Sequence, residues 1–266
     1  MFSEIKTKNF PIPFNRISGV EVASLYQGLP DEIQRLILGM AGCSPYLKNL
    51  LIKYKNWLTQ RISNNSISII DELENDLSLS KDLFESLRIA KSKMALWTAF
   101  CDLGGYWDLD EVTLNLTRFA DLAVNYCMDY EFTRSIKFKK LKTNSGQLTE
   151  SGWVAIAMGK MGAFELNYSS DIDLIFLFDD ALFSSEEFEN VRMTFIRMTR
   201  SINKMLNENS SSGYVFRTDF RLRPNPSVTP ICLSMDSAMR YYESTGRAWE
   251  RAAFIKARAC AGDIKA

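Results

Sequence analysis

The stretch WVAIAMGKMGAFELNYSSDIDLIFLF, Trp153 to Phe178, decides the fold. Its ends, WVAIAM (Trp153 to Met158) and LIFLF (Leu174 to Phe178), are short apolar runs too hydrophobic for a strand with one wet face. Bounded by Gly, Ser and Asn, such runs read as buried strands. Between them lies GKMGAFELNYSSDID, Gly159 to Asp173, rich in small and polar residues. The second strand therefore opens on two carboxylates, Asp171 and Asp173. Residues i and i+2 share a strand face, so the two acids project side by side while Ile172 points to the core. Adjacent carboxylates repel unless a cation lies between them. An oxygen-only pair suits magnesium, which takes one or two carboxylates together with water and substrate phosphate. Two solvated acids at a strand end would carry the same pattern.

The loop before the acids points toward phosphate. Gly159 and Gly162 allow positive φ and close backbone approach. Lys160 adds a cation, and Ser169 and Ser170 bring hydroxyl and backbone N–H groups; such a turn can cradle phosphate oxygens. The G-x-x-x-x-G-K-[ST] spacing is absent, so Lys160 is not a P-loop lysine. A third acid comes later. GYVFRTDFRLRP, Gly213 to Pro224, reads as a strand with Val215, Arg217, Asp219, Arg221 and Arg223 on one face. Three arginines around one aspartate suit a polyanion held by metal, because the guanidinium fork binds phosphate oxygens in pairs. An exposed edge strand of Arg–Asp pairs is the plainer alternative.

A glycine- and serine-bearing loop, D-x-D on one strand and a third Asp on a later strand resemble the nucleotidyltransferase superfamily. More narrowly, GKMGAFELNYSSDIDLIFLFD, RTDFRLRPNPSVTP and YYESTGRAWERAAFIKARACAGD resemble the bifunctional glutamine synthetase adenylyltransferase/adenylyl-removing enzymes. ELNYSSDID and GRAWERAAFIKAR are closer to that family's N-terminal, adenylyl-removing half. The resemblance is strong from Trp153 to Asp263 and weak before it. It implies an α+β chain: a helical region over 1–140, then a nucleotidyltransferase core of the DNA polymerase beta-like kind over 150–266, with a mixed β-sheet and flanking helices. It implies two magnesium ions held by Asp171, Asp173 and Asp219. Gly159, Lys160, Gly162, Ser169, Ser170, Arg221, Arg223 and Lys256 would serve nucleotide and phosphate. The implied reaction is phosphorolysis of adenylyl-tyrosine on glutamine synthetase, releasing ADP. The implied partners are glutamine synthetase, phosphate, ADP or ATP, and a nitrogen-signalling regulatory protein; the implied location is the cytoplasm. In a full-length member, further helices and a second catalytic half would follow Ala266. Three carboxylates do not fix direction, so adenylylation from ATP stays open. A nucleic-acid nucleotidyltransferase and a non-catalytic fragment that docks on glutamine synthetase stay open too.

Composition narrows these readings. The 266 residues carry 32 basic and 32 acidic side chains. That balance argues against broad nucleic-acid binding or attachment to a membrane surface. With no histidine in the chain, any histidine base or triad is excluded. Five scattered cysteines without C-x-x-C fit a reduced chain with no structural zinc. No apolar run is long enough to span a bilayer.

The rest is mostly helix. Residues 1 to 20, with two prolines, read as an extended arm. Pro30-Asp31-Glu32 starts a helix, and Ser44-Pro45 supplies a cap and a first-turn proline for the next. Asn64-Asn65 marks a loop. Ser80 caps a helix that Gly104-Gly105 stops, and Asp108 with Glu111 forms a capping box. Lys137 to Glu150 is a linker or hairpin candidate. A long helix runs from Ser184 to about Asn207, burying Phe188, Val191, Phe195, Met198, Ile202 and Met205. Ile231-Cys232-Leu233 is a short strand, Ser234 or Asp236 caps a further helix, and Gly246 to Arg258 reads as helical.

Overall fold

The computed structural model describes residues 10–64, 68–141 and 145–266. The helices and strands in chain order are α1 (Arg16–Ala23), α2 (Asp31–Cys43), α3 (Pro45–Lys53), α4 (Lys55–Ser63), α5 (Ile69–Ser78), α6 (Leu83–Leu103), α7 (Leu109–Lys137), β1 (Trp153–Ala157), α8 (Gly159–Gly162), β2 (Ile172–Phe178), α9 (Phe188–Asn207), β3 (Thr218–Asp219), β4 (Cys232–Ser234), α10 (Met235–Ser244), α11 (Ala248–Ala253) and β5 (Arg258–Gly262). The chain divides into one unit of residues 1–82 and 88–116 and another of 83–87 and 117–266. The divisions fall within α6, after Leu87, and within α7, after Leu116; the sequence reading drew its boundary between 140 and 150. A long helix carries no compositional mark where its neighbours change.

The first unit is helical. The Ser44 hydroxyl accepts from Leu47 N at 3.2 Å, with Pro45 in the first turn of α3. Asp108 and Glu111 cap α7 reciprocally: Glu111 N donates to Asp108 Oδ1 at 2.8 Å, and Asp108 N donates to Glu111 Oε2 at 3.0 Å. Leu36, Ile37, Met40, Leu51, Leu58 and Leu73 are buried, the apolar stripes of amphipathic helices. Arg61 is buried yet answered on two sides. It pairs with the Glu72 carboxylate and lies 4.3 Å from the Trp97 ring centroid. The expected arm over 1–20 differs in part. Residues 1–9 lie outside the described residues, but Arg16–Ala23 is helical, with Asn15 Oδ1 accepting from Ser18 N at 3.0 Å. Eight residues interrupted by Gly19 present too little periodicity to be read as a helix.

The second unit is built on the paired strands of the deciding stretch. β1 and β2 run antiparallel, from Trp153 opposite Phe178 to Ala157 opposite Leu174. Along the sheet the order is β3-β2-β1-β5, and β4 also pairs with β2. The sheet is mixed: β3 and β4 are parallel to β2, while β1 is antiparallel to both β2 and β5. α9 lays its apolar stripe here, with the Phe195 ring 5.5 Å from Trp153 and 5.1 Å from Phe178. Ser234 caps α10, its hydroxyl accepting from Ser237 N at 3.3 Å.

Three expectations are corrected. The arginine strand over 213–224 contracts to Thr218–Asp219. Its alternation fails because Val215 and Phe216 are both buried. β3 pairs with β2 only at Ile172 and Asp173, and β4 takes the same edge from Phe176 to Phe178. Next, the helix over 246–258 ends at Ala253, and a single 3₁₀ turn follows to Lys256. Arg258–Gly262 is then a strand paired with β1. Its RACAG sequence has little strand preference, so the partner strand dictates it. The Lys137–Glu150 segment begins as the last residue of α7 and ends in a 3₁₀ turn at Leu148–Glu150; residues 142–144 lie outside the described residues. All five cysteines are free thiols.

Candidate functional site

The parallel register sets Asp173 directly beside Asp219, and Asp171 precedes Asp173 by one strand repeat. So β2 and β3 bring Asp173 and Asp219 together at one end of the sheet, and Asp171 lies just before β2. Burial raises the Asp173 pKa above the usual carboxylate range, and the charges of Asp219 and Asp171 raise it further; Arg221 offsets part of this. The two neighbouring acids are near enough to repel it.

Each outer carboxylate has its own guanidinium. Arg217 Nε donates to Asp171 Oδ1 at 2.5 Å, and its Nη2 donates to the Ser169 carbonyl at 2.7 Å. Tyr214 supports this arginine, with the hydroxyl accepting from Arg217 Nη1 at 3.3 Å. Arg221 grips Asp219 through its backbone N at 2.8 Å, Nε at 2.8 Å and Nη2 at 2.5 Å. The hydrogen bonds from the Arg221 side chain hold Asp219 below the usual carboxylate range. Asp173 alone lacks such a partner. α9 fixes β3 from the other side: Thr218 Oγ1 donates to Asn203 Oδ1 at 2.5 Å and accepts from Asn207 Nδ2 at 3.1 Å.

The two loop glycines are needed for different reasons. Gly159 has φ +54°, and a Cβ there would lie 2.8 Å from Asp173 Oδ2. Bare backbone therefore abuts the central carboxylate. Gly162 needs room instead, since its Cβ would lie 1.7 Å from the Lys256 carbonyl oxygen. Lys160 and Ser169 are exposed, and Ser170 Oγ accepts from Asn167 N at 3.3 Å.

Two of the cations expected to reach phosphate are engaged elsewhere. Arg223 donates to four backbone carbonyls, those of Phe220 and Pro226 at 2.8 Å, Pro230 at 3.0 Å and Thr229 at 3.1 Å. It locks the proline loop rather than facing the carboxylates. Lys256 Nζ pairs with Glu165 Oε2 at 2.6 Å. Nearby, Arg258 donates to Asp121 Oδ1 at 2.8 Å and to the Met161 carbonyl at 3.2 Å, with the Phe164 ring 3.9 Å away. These two basic residues clip the Gly159–Asp173 loop in place.

Sequence reasoning put Arg217 on the arginine face but not among the phosphate-binding residues, and it did not assign Asn203 or Asn207. The asparagine pair carried a legible signal: spaced i, i+4 on a helix, they share one face. Among the described residues, no three His, Cys, Asp or Glu side chains converge closely enough to hold a metal ion. The donor chemistry nonetheless suits a hard dication, with all-oxygen ligands and a central carboxylate under repulsion from both neighbours. In this arrangement Arg217 and Arg221 supply the countercharge.

The glutamate-ammonia ligase adenylyltransferase family matches residues 34–266, which include the loop, both strands and all three acids. This chain belongs to that family. Among curated relatives, the bifunctional glutamine synthetase adenylyltransferase/adenylyl-removing enzyme of Bradyrhizobium sp. strain BTAi1 is 39% identical over 92% of this chain. The protein of that name from Rhodopseudomonas palustris strain BisB5 is 42% identical over 85% of it, and that from Rhizobium meliloti strain 1021 is 43% identical over 70%. The chain spans about a quarter of the length of the first two and 19% of the third. Family membership extends well into the helical unit, where sequence motifs were weak. No helix among the described residues is long and apolar enough to cross a membrane.

Proposed function

We propose that this chain carries the adenylyl-removing centre of a glutamine synthetase-modifying enzyme of the cytoplasm. The reaction is phosphorolysis: a phosphate oxygen attacks the phosphorus of adenylyl-tyrosine, the bond to the tyrosyl oxygen breaks, and ADP leaves while that oxygen takes a proton. The observation that supports this best is the register of Asp173 against Asp219, with Asp171 two residues before Asp173. Magnesium, held by Asp171, Asp173 and Asp219, would supply neutralisation of the charge at the phosphorus centre. Arg217 and Arg221 are the cations paired with Asp171 and Asp219. Both are largely exposed, and on yielding the acids they lie within reach of phosphate oxygens. Phosphate is already a nucleophile, so the absence of histidine is no obstacle. Positioning and electrostatics supply most of such a rate. Gly159 leaves the central carboxylate open to a close-lying phosphate. A nitrogen-signalling protein as regulatory partner rests on kinship alone.

The test is to incubate adenylylated glutamine synthetase with the chain, phosphate and magnesium, using Asp173→Ala as control. ADP released by the parent and not by the variant supports the reading. Pyrophosphate-linked AMP incorporation would assign the opposite direction. Neither product would remove the enzymatic reading.

A further inference from the structure

Away from the carboxylates, a cavity of about 170 Å³ opens between the C-terminal end of α7 and the middle of α9. A water takes about 30 Å³ of the liquid, so there is room for roughly five or six non-hydrogen atoms. Its lining is polar and unbalanced in charge: Arg134, Lys140 and Arg197 against the single carboxylate of Glu131. Glu131 is buried and already satisfied, accepting from Ser201 Oγ at 2.8 Å and from Arg134 Nη1 at 3.2 Å. Arg197 makes no hydrogen bond, ion pair or ring contact among the described residues. Ser135 lines the same cavity at 5% exposure, and its hydroxyl has no partner among the described residues. That oxygen is not among the fully buried side-chain atoms left without a partner, so it is open to the cavity and free to bond to a ligand there.

From this we infer a binding site for a small tetrahedral oxyanion of phosphate size, held by Arg197, Lys140 and the Ser135 hydroxyl. The charges leave two positive equivalents uncommitted once Glu131 is matched, enough for a dianion. The volume admits a phosphoryl group. Buried Glu131 orients Arg134 and Ser201 at the floor and repels a ligand that comes too deep, so the anion is seated toward the exposed cations. This site is independent of the proposed reaction, since none of its residues lies among the three acids or their arginines.

The test uses the 266-residue chain, titrated at constant ionic strength with sulfate, which has the required shape and is no nucleophile, and in parallel with AMP. Arginine Nε–Hε NMR signals report occupancy. Expected is a saturable sulfate shift of the Arg197 signal that persists in Asp173→Asn. Arg197→Gln, followed through Arg134, should weaken binding about tenfold, as loss of a charge-assisted pair does. Ser135→Ala should weaken it several-fold, and AMP should bind more weakly than sulfate. A shift that grows linearly without saturation is salt screening and overturns the site. So does saturable binding indifferent to Arg197→Gln and Ser135→Ala, or abolished by Arg221→Gln, which would place the anion at the carboxylates.

Discussion

Asp173 and Asp219 stand directly opposite one another across two parallel strands, and only Asp219 has an arginine to itself. The surroundings of the central acid therefore disfavour its charged form. Asp173→Asn should stabilise the metal-free chain by up to about 1 kcal/mol, as when a functional strain is relieved, while abolishing ADP release. The sign follows from the raised pKa. A raised carboxylate favours the folded state below its unfolded pKa and loses that contribution as pH rises through the folded value. The stability gain from Asp173→Asn should thus be small at acid pH and grow toward neutrality. Thermal denaturation of both proteins across that range checks it; a gain that shrinks with rising pH would refute it.

Arg221 competes with any cation for Asp219. Arg221→Gln should tighten Mn²⁺ binding several-fold, because a carboxylate without its guanidinium is a freer ligand. Titration followed by paramagnetic resonance measures this, and weaker binding in the variant would contradict it.

Gly162→Ala should be severely destabilising, on the order of 2–4 kcal/mol, because the new methyl would collide with the carbonyls of Lys256 and Ala157. Gly159→Ala should cost less, roughly 1–2 kcal/mol for a left-handed backbone, and should also disturb Asp173. Denaturant unfolding ranks the two; equal costs would show that the loop relaxes around Gly162.

Arg223→Lys should loosen the loop over 224–230 without unfolding the sheet. A lysine has three donors and no planar fork, so it cannot serve four carbonyls at once. Amide exchange or limited proteolysis in that loop should quicken at least about tenfold, the equivalent of about 1.4 kcal/mol, and β1–β2 amides should stay protected. Unchanged loop exchange would assign Arg223 another role.

The buried strands, the paired acids, the caps at Ser44, Asp108 and Ser234 and the α9 stripe were legible in sequence because each rests on local rules: period, cap chemistry and alternation; Ser80 was not a cap, since α6 starts at Leu83. Hydrophobic runs announced β1 and β2, and Ser44 and Asp108 announced their helices. β5 was not legible, because Arg258–Gly262 is extended only through its pairing with β1. Nor were the fates of the arginines. Arg217, Arg221 and Arg223 follow one another at alternate positions, yet one pairs with Asp171, one with Asp219 and one with the proline loop.

By itself the sequence determined which residues could do chemistry here, and that no histidine could be among them. Tertiary structure decided how they meet. β3 meets β2 only at Ile172 and Asp173, while β4 meets the same strand at Phe176 to Phe178; the chain turns after Asp219, and the neighbouring arginines diverge. Side-chain alternation is local, but the length of a strand depends on which edge remains unpaired, and that is settled only when the whole sheet is assembled.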